Sequence, residues 1–482
     1  MPHFDLIVIG SGPAGEKGAA QAAYFGKRVL LVERAAELGG AGINTGTIPS
    51  KTLRETALYY SGLRQRGLYG LDYSLKDEMT VADFMFRKDQ VVANERALVA
   101  RNLERHGVQV VHGVASLEAT GRVRIRRSGG GDETHTADVI LIATGSSPHR
   151  PPEIPFDGRV IHDSDTILAM DRIPRSMVVV GGGVIGSEYA SIFTALGVKV
   201  TLVEGRGRLL PFVDAEIADR LRQRLEGFGL RFIFNGRVET VAVRDGHAAL
   251  TLADGEVLEA DIALFAAGRQ SNIEGLGLEA LGVRLGKRGL ILVDEHYATN
   301  VPGICAAGDV IGFPALASTS MEQARVAMVH AFALAYKERM SPVIPLAVYT
   351  VPELAQAGMT EEECEAGGID RVVGRSWYEK SPRGQIIGDL AGMLKLIFAP
   401  DDKRLLGVHV IGEMASELVH VGAQVLAQHG TIDAFIDAVY NYPSLTDSYK
   451  YAAYDGLGVL ARRGSGVPGS VTGTPTDVVD QT

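Results

Sequence analysis

The 482-residue sequence predicts an α/β chain of two parallel-sheet domains followed by a separate α+β domain. Three observations carry this reading. Apolar runs flank a glycine loop and a helical stretch over residues 5–33, and the same unit returns at 176–204. From about residue 345 the pattern changes to alternating strands and helices with no glycine loop. Length agrees, because single hydrophobic cores stop growing well short of this size.

In the first unit, DLIVIG at 5–10 is short and continuously apolar, as a strand covered on both faces must be. A helical stretch runs from about Gly15 to Gly26, and RVLLVE at 28–33 is the next strand. SGGGDE at 128–133 reads as a hairpin tip or short insertion, and the clustered prolines of PHRPPEIP at 148–155 as a crossover between domains. The second unit comprises the strand MVVVG, the helix IGSEYASIFTALG and the strand KVTLVE. Strands follow near 346–350, 371–378, 393–399 and 405–412, with helices near 414–429 and 431–438. The expected domain bounds are 1–150, 151–275, 276–344 and 345–462. Residues 463–482, rich in Gly, Ser, Thr and Pro, read as a disordered tail.

Composition excludes several function classes. A net charge of −10 argues against broad nucleic-acid binding and against an anionic membrane surface, both of which require excess Lys and Arg. No apolar run reaches the length of a membrane span, and the N-terminus has no signal-peptide pattern. The only cysteines, Cys305 and Cys364, support neither a disulfide framework nor a zinc site, so a cytoplasmic location is expected. His409, His420 and His429 lack a further ligand at a recognised spacing beyond Glu417, so no metal is expected.

The chemistry lies in the glycine loops. Gly10 permits a tight turn, Gly12 lets backbone approach a pyrophosphate, and Gly15 lets helix and strand pack closely. The helix N-terminus offers free N–H groups to the anion. Glu33 ends the second strand, where a carboxylate accepts hydrogen bonds from a ribose diol. Gly181, Gly183, Gly186 and Glu204 repeat the pattern. Two Rossmann-like dinucleotide sites in one chain suggest that one cofactor stays and the other exchanges. Glu204 favours an unphosphorylated ribose, yet Arg206 and Arg208 follow in EGRGR and can pair with a 2′-phosphate; as solvated loop charges they would do neither.

With ATG at 143–145, AAGRQSN at 266–272 and CAAGDVIG at 305–312, residues 4 to about 460 resemble the flavin-dependent pyridine nucleotide–disulfide oxidoreductases. The resemblance implies FAD on the first loop and exchangeable NAD(H) or NADP(H) on the second. The cofactor-contacting positions it implies begin with Gly10, Gly12, Pro13, Ala14, Gly15, Glu33, Arg34 and Gly40. They continue through Thr47, Lys51, Thr144 and Gly145, and through Gly181, Gly183, Ile185, Gly186, Glu188, Glu204 and Arg206. Gly268, Gly308, Asp309 and Ala317 complete them, with Asp309 on the ribityl–phosphate region. Lys51 and Glu188 pair beside the flavin N5 in that family.

The family's redox motif, GGxCxxxGCxPSK, is GGAGINTGTIPSK here at 39–51: Gly42 and Thr47 replace both cysteines. A dithiol relay needs two thiolates within disulfide reach. The C-terminal HPTxxE segment is replaced by Tyr442-Pro443-Ser444-Leu445-Thr446-Asp447, and a tyrosine, with a pKa of about 10, shuttles protons poorly at neutral pH. TGTIPSKTLRE at 45–55, GDVIGFPALAS at 308–318, YTVPELA at 349–355 and NYPSLTDSYKYAA at 441–453 resemble the branch of soluble, flavin-containing pyridine nucleotide transhydrogenases. The implied activity is hydride transfer between NADPH and NAD+ through FAD, with Lys51, Glu188, Thr47, Tyr442 and Asp447 as candidate catalytic residues. An NAD(P)H dehydrogenase acting on a quinone or dye is the alternative, and a non-catalytic redox sensor the third reading. The resemblance also implies a twofold homodimer built through the C-terminal domain.

Overall fold

The computed structural model describes residues 1–63, 68, 74–75 and 79–464. It divides into two compact units, Met1–Leu210 with Leu225–Ser341, and Pro211–Arg224 with the chain from Pro342 onward. Of the stretch expected as a tail, Arg463 and Gly464 close the last helix and the rest lies outside the described residues.

The first unit opens with β1 (His3–Ile9), α1 (Pro13–Tyr24) and β2 (Val29–Glu33). The helices α2 (Gly40–Asn44), α3 (Thr47–Ser61) and α4 (Val81–Arg105) follow. Thr80 caps α4 with a reciprocal box: its Oγ1 accepts from Asp83 N–H at 3.2 Å, and its own N–H donates to Asp83 Oδ2 at 2.9 Å. Next come β3 (Gln109–Ala119), β4 (Arg122–Arg127) and β5 (Asp132–Ile142). The glycines at 129–131 turn the β4–β5 hairpin, as the sequence suggests. β1 pairs in parallel with β2 and β5, and β2 with β3. Leu6 and Val8 pack towards one face of this sheet, Ile7 and Ile9 towards the other, the period-2 alternation of a strand covered on both sides. Each such fully buried side chain contributes about 1.5–3 kcal/mol.

After β6 (Ser146–Pro148) and β7 (Ile161–Asp163), the unit repeats with β8 (Ser176–Val180), α5 (Val184–Ala195) and β9 (Lys199–Glu204). Residues 211–224, which hold most of α6 (Ala215–Gly227), belong to the second unit although they lie within the stretch 151–275. β10 (Arg231–Phe234), β11 (Val238–Arg244), β12 (His247–Leu252), β13 (Val257–Ala260), β14 (Ile262–Phe265) and β15 (Arg269–Ser271) return to the first unit. The second sheet runs β10–β9–β8–β14–β7, all parallel. β16 (Ile304–Ala306) then adds to β5, and α7 (Ala317–Ala331) packs on α1. The parallel part of the first sheet is thus β3–β2–β1–β5–β16, so each glycine loop leaves a central strand of its own sheet.

The second unit continues with β17 (Leu346–Val348), β18 (Leu354–Gly358), α8 (Glu361–Ala366), β19 (Val372–Trp377) and α9 (Pro382–Ile387). It ends with β20 (Met393–Phe398), β21 (Leu405–Ile411), α10 (Ala415–Ala427), α11 (Asp433–Asp437) and α12 (Ser448–Gly464). The antiparallel sheet β17–β18–β21–β20–β19 is covered by α10 and α12 around Tyr378, Phe398, Phe435 and Tyr449. Tyr449 Oη donates to Leu418 O at 2.7 Å and accepts from Gly422 N–H at 3.0 Å, which locks the two helices together. Among the described residues no helix is long and apolar enough to cross a membrane.

Candidate functional site

Both glycine loops are built by the same steric rule. Gly10 has φ +104°, and a Cβ there would lie 2.4 Å from Ala143 O; a Cβ on Gly15 would lie 1.8 Å from Gly10 O. Gly181 has φ +105° with Ala266 O at 2.8 Å from a Cβ, and Gly186 would meet Gly181 O at 1.8 Å. No side chain fits at these four positions. The middle glycines differ. A Cβ on Gly12 would meet only Gly40 Cα, at 3.8 Å, and one on Gly183 would meet nothing within 4 Å. Nothing in the protein requires glycine there; the open face over the first turn of each helix does. It is where backbone N–H groups and the helix dipole receive a phosphate.

The elements around the first loop converge on it. Thr144, at the end of β5, lies against Gly10, Gly40 against Gly12, and Gly308 against Ala14. Pro13 is the first residue of α1, where its missing N–H costs nothing. Glu33 Oε2 accepts from Ser11 N–H at 2.8 Å and from Ser11 Oγ at 2.6 Å, and Oε1 from Ala35 N–H at 2.8 Å. Arg34 beside it is exposed. Asp309 accepts from Ser146 Oγ at 2.7 Å; Arg269 in turn donates to Ser146 Oγ at 2.8 Å and to Ser146 O at 2.7 Å. Gly308 N–H donates to Gln323 Oε1 at 2.9 Å. Asn272 Nδ2 donates to Thr144 O at 2.9 Å, whereas Thr144 Oγ1 is buried with no partner. Gly145 follows with φ +68°, and Ala317 opens α7. An open cradle over Gly12, an orphaned hydroxyl and a fixed carboxylate fit a dinucleotide at this loop.

The second loop presents Ile185 half-buried on the first turn of α5, and Gly268 at φ +124° just after β14. Glu204 Oε2 accepts from Gly182 N–H at 2.6 Å, and Arg206 folds back on the same carboxylate. Two turns of helix bring the loops into one constellation. Lys51 on α3 places Nζ 2.7 Å from each oxygen of Glu188 on α5, and Ser50 Oγ donates to Glu188 Oε2 at 3.2 Å. The Glu188 side chain is 4% exposed and that of Lys51 26%. Gly42 lies on α2 beside the Pro13 ring, and Thr47 is the exposed first residue of α3. Tyr442 and Asp447 belong to the second unit, Tyr442 73% exposed and Asp447 in a single 3₁₀ turn. Ser50, Ser146, Arg269 and Gln323 escape the sequence reading, because each acts through a partner more than ten residues away or sits in a motif as apparent filler.

Residues 4–331 match the model of the pyridine nucleotide-disulphide oxidoreductase family, and residues 344–453 match that family's dimerisation domain. The chain belongs to the pyridine nucleotide–disulphide oxidoreductases. Among its relatives in this family is the soluble pyridine nucleotide transhydrogenase of Mycobacterium bovis, 43% identical over 94% of this chain and 97% of that one. That of Yersinia pestis is 37% identical over 95% and 99%. Among solved structures, LpdA from Mycobacterium tuberculosis superposes with a TM-score of 0.87 at 29% identity, over 94% of this chain and 99% of that one. The HOCl-induced flavoprotein disulfide reductase RclA from Escherichia coli, a copper(II) complex, does so at 0.85 and 28% over the same shares. This family member is thus an oxidoreductase with two dinucleotide-binding domains and a dimerisation domain, as its sequence predicts.

Proposed function

We propose that the protein transfers hydride between NADPH and NAD+ through a bound FAD, without a redox disulfide. The observation that carries the proposal is the Lys51–Glu188 pair at 2.7 Å, which ties the flavin-side helix to the nucleotide-side helix in a segment that has lost both family thiols. FAD, held by the first loop with Glu33 and Asp309, supplies a hydride carrier that accepts from one nicotinamide and donates to another. The chain's own residues position and shield. The N-terminus of α5 receives the nucleotide pyrophosphate, Glu188 fixes the Lys51 ammonium, and that ammonium supplies positive charge where electron density gathers. Hydride exchange requires no thiol, and none is available: Cys305 and Cys364 are buried, and burial pushes the Cys305 thiol up to about 12. The names of the relatives at 43% and 37% identity support the same reaction. With one exchangeable site, the two nucleotides take turns in it. The match of residues 344–453 supports a homodimer, and two unpaired, buried thiols suit the cytoplasm.

The test is anaerobic. NADPH added to the flavin-loaded protein should bleach its absorbance, and NAD+ added next should restore it; initial-rate lines for the pair should be parallel. Colour restored only by a quinone or oxygen would replace the proposal with an NAD(P)H dehydrogenase. Intersecting lines would replace the single alternating site with two.

A further inference from the structure

The strand β14 lies beside β8, and Ala266 N–H donates to Val180 O at 2.8 Å. The segments that follow these strands leave side by side: a Cβ on Gly181 would lie 2.8 Å from Ala266 O and 3.4 Å from Ala267 Cα. Crevices of this kind, outside the strand C-termini, receive the ligands of open parallel sheets. A third segment reaches the same place. Residues 285–291 fold back on themselves, with Leu285 bridged to Ile291 and Gly286 N–H donating to Leu290 O at 2.7 Å. Ile291 N–H donates to Val310 O at 3.0 Å, so this hairpin is fastened to the loop that carries Asp309. At its tip Arg288 has φ +58°, a left-handed backbone that a residue other than glycine adopts only at a cost. Arg288 Nη1 lies 3.9 Å from where a Cβ of Gly268 would stand. A side chain at 268 would cover the guanidinium, and glycine leaves it bare. Arg288 is exposed, and among the described residues it has no acidic partner. The cations already placed at this site are each committed: Lys51 to Glu188 at 2.7 Å, Arg206 to Glu204 at 2.8 Å, and Arg269 to Ser146 O at 2.7 Å.

We infer that Arg288 is the cation that meets the pyrophosphate of the nucleotide at the second loop, reaching over Gly268 from a hairpin outside the strand–loop–helix unit. This role rests on the proposed exchange of nucleotides at that loop and deepens it. The loop itself offers phosphate only backbone N–H groups and the α5 dipole. A dinucleotide brings the negative charge of its pyrophosphate, and the carboxylates of Glu188 and Glu204 already hold the nearer cations. A guanidinium matches phosphate oxygens with paired N–H groups. Water and salt weaken an exposed pair, so the contact strengthens binding moderately and leaves the nucleotide free to depart. A site that two nucleotides occupy in turn requires that. NAD(H) and NADP(H) share the pyrophosphate, so Arg288 serves both alike.

The experiment measures binding, with ADP-ribose and its 2′-phosphate titrated calorimetrically into the FAD-loaded protein. Arg288→Gly removes the guanidinium and suits a φ of +58°, so the hairpin keeps its fold. It should weaken both ligands by the same factor, about 5- to 20-fold, with flavin content unchanged. Arg288→Lys keeps the charge without the fork and should lose no more than about threefold. The Arg288→Gly loss should shrink between about 50 and 500 mM salt as screening grows. No loss, a loss confined to the 2′-phosphate form, a loss of flavin, or a loss indifferent to salt would each overturn the role of Arg288 while leaving transhydrogenation to stand on its flavin test. An unmodified protein that binds neither ligand would overturn the nucleotide site at the second loop, and the role of Arg288 with it.

Discussion

At the scale of single residues, the proposed hydride site depends on a charge held in place. Glu188 is 3% exposed, and the Lys51 ammonium touches both its oxygens. Glu188→Gln keeps the shape and removes the anion, so Lys51 loses its anchor and samples other rotamers. The expected outcome is a fall in anaerobic flavin bleaching by NADPH on the order of 10²-fold, with flavin content unchanged. Stopped-flow absorbance checks it. Retention of the full rate would reduce the pair to a structural strut between α3 and α5.

At the scale of elements, the strand–loop–helix units separate glycines that build the fold from glycines that make room. Gly186→Ala places a methyl 1.8 Å from Gly181 O, so the N-terminus of α5 must move. That variant should melt lower and lose NAD(P) binding while keeping FAD. Gly183→Ala meets nothing within 4 Å, so its melting should be unchanged. Its nucleotide affinity should still fall about tenfold, because the methyl stands where the pyrophosphate approaches. A thermal melt paired with a nucleotide titration distinguishes the two. These units were legible in the sequence because their signals are local: period-2 burial, helical spacing and glycines at fixed offsets lie within about thirty residues. The relay Asp309–Ser146–Arg269 was not, since its members lie 123 and 163 residues from Ser146. Nor was Lys395. Its strand β20 reads MLKLIF, where a lysine among apolar residues suggests a solvent face, yet all six positions are buried. Both faces of that sheet are covered, and no local pattern says so.

At the scale of the whole molecule, Lys395 shows why a segment from the middle of the chain groups with its C-terminal unit. The lysine side chain is 1% exposed, and its Nζ lies 2.8 Å from Asp214, 3.1 Å from Glu216 and 2.6 Å from Glu361. Arg375 adds a bond to Glu216 at 2.8 Å. Asp214 and Glu216 come from residues 211–224, so buried charge fastens that stretch to β19, β20 and α8. Burial opposes ionisation of Asp214, but neighbouring His409 and Lys395 hold its carboxyl below the ordinary 3.8. Burial likewise opposes ionisation of Glu216, and Arg375 and Lys395 hold it below 4.5. Burial would lower Lys395, but Asp214 and Glu361 hold it above 10.5. Carboxyls depressed on folding stabilise fully above their unfolded values and lose that contribution as pH falls through the folded ones. A raised lysine stabilises below its unfolded value and loses the contribution as pH rises through the folded one. The network is therefore strongest between about pH 5 and pH 10 and fails first in acid. Asp214→Asn leaves Lys395 with less charge to meet its own, and removing one partner of a buried pair costs about 3–5 kcal/mol. The chain's one tryptophan, Trp377, sits in this unit with the Arg220 guanidinium 4.1 Å above its ring, so its fluorescence reports this unit's unfolding. The urea midpoint of Asp214→Asn should fall well below that of the unmodified protein at pH 7. The gap should narrow towards pH 3, because only the unmodified chain has Asp214 to take up a proton on unfolding and so loses that contribution in acid. A gap that is constant across that range would make the contribution of Asp214 one of packing, and the link between residues 211–224 and the C-terminal unit an apolar one.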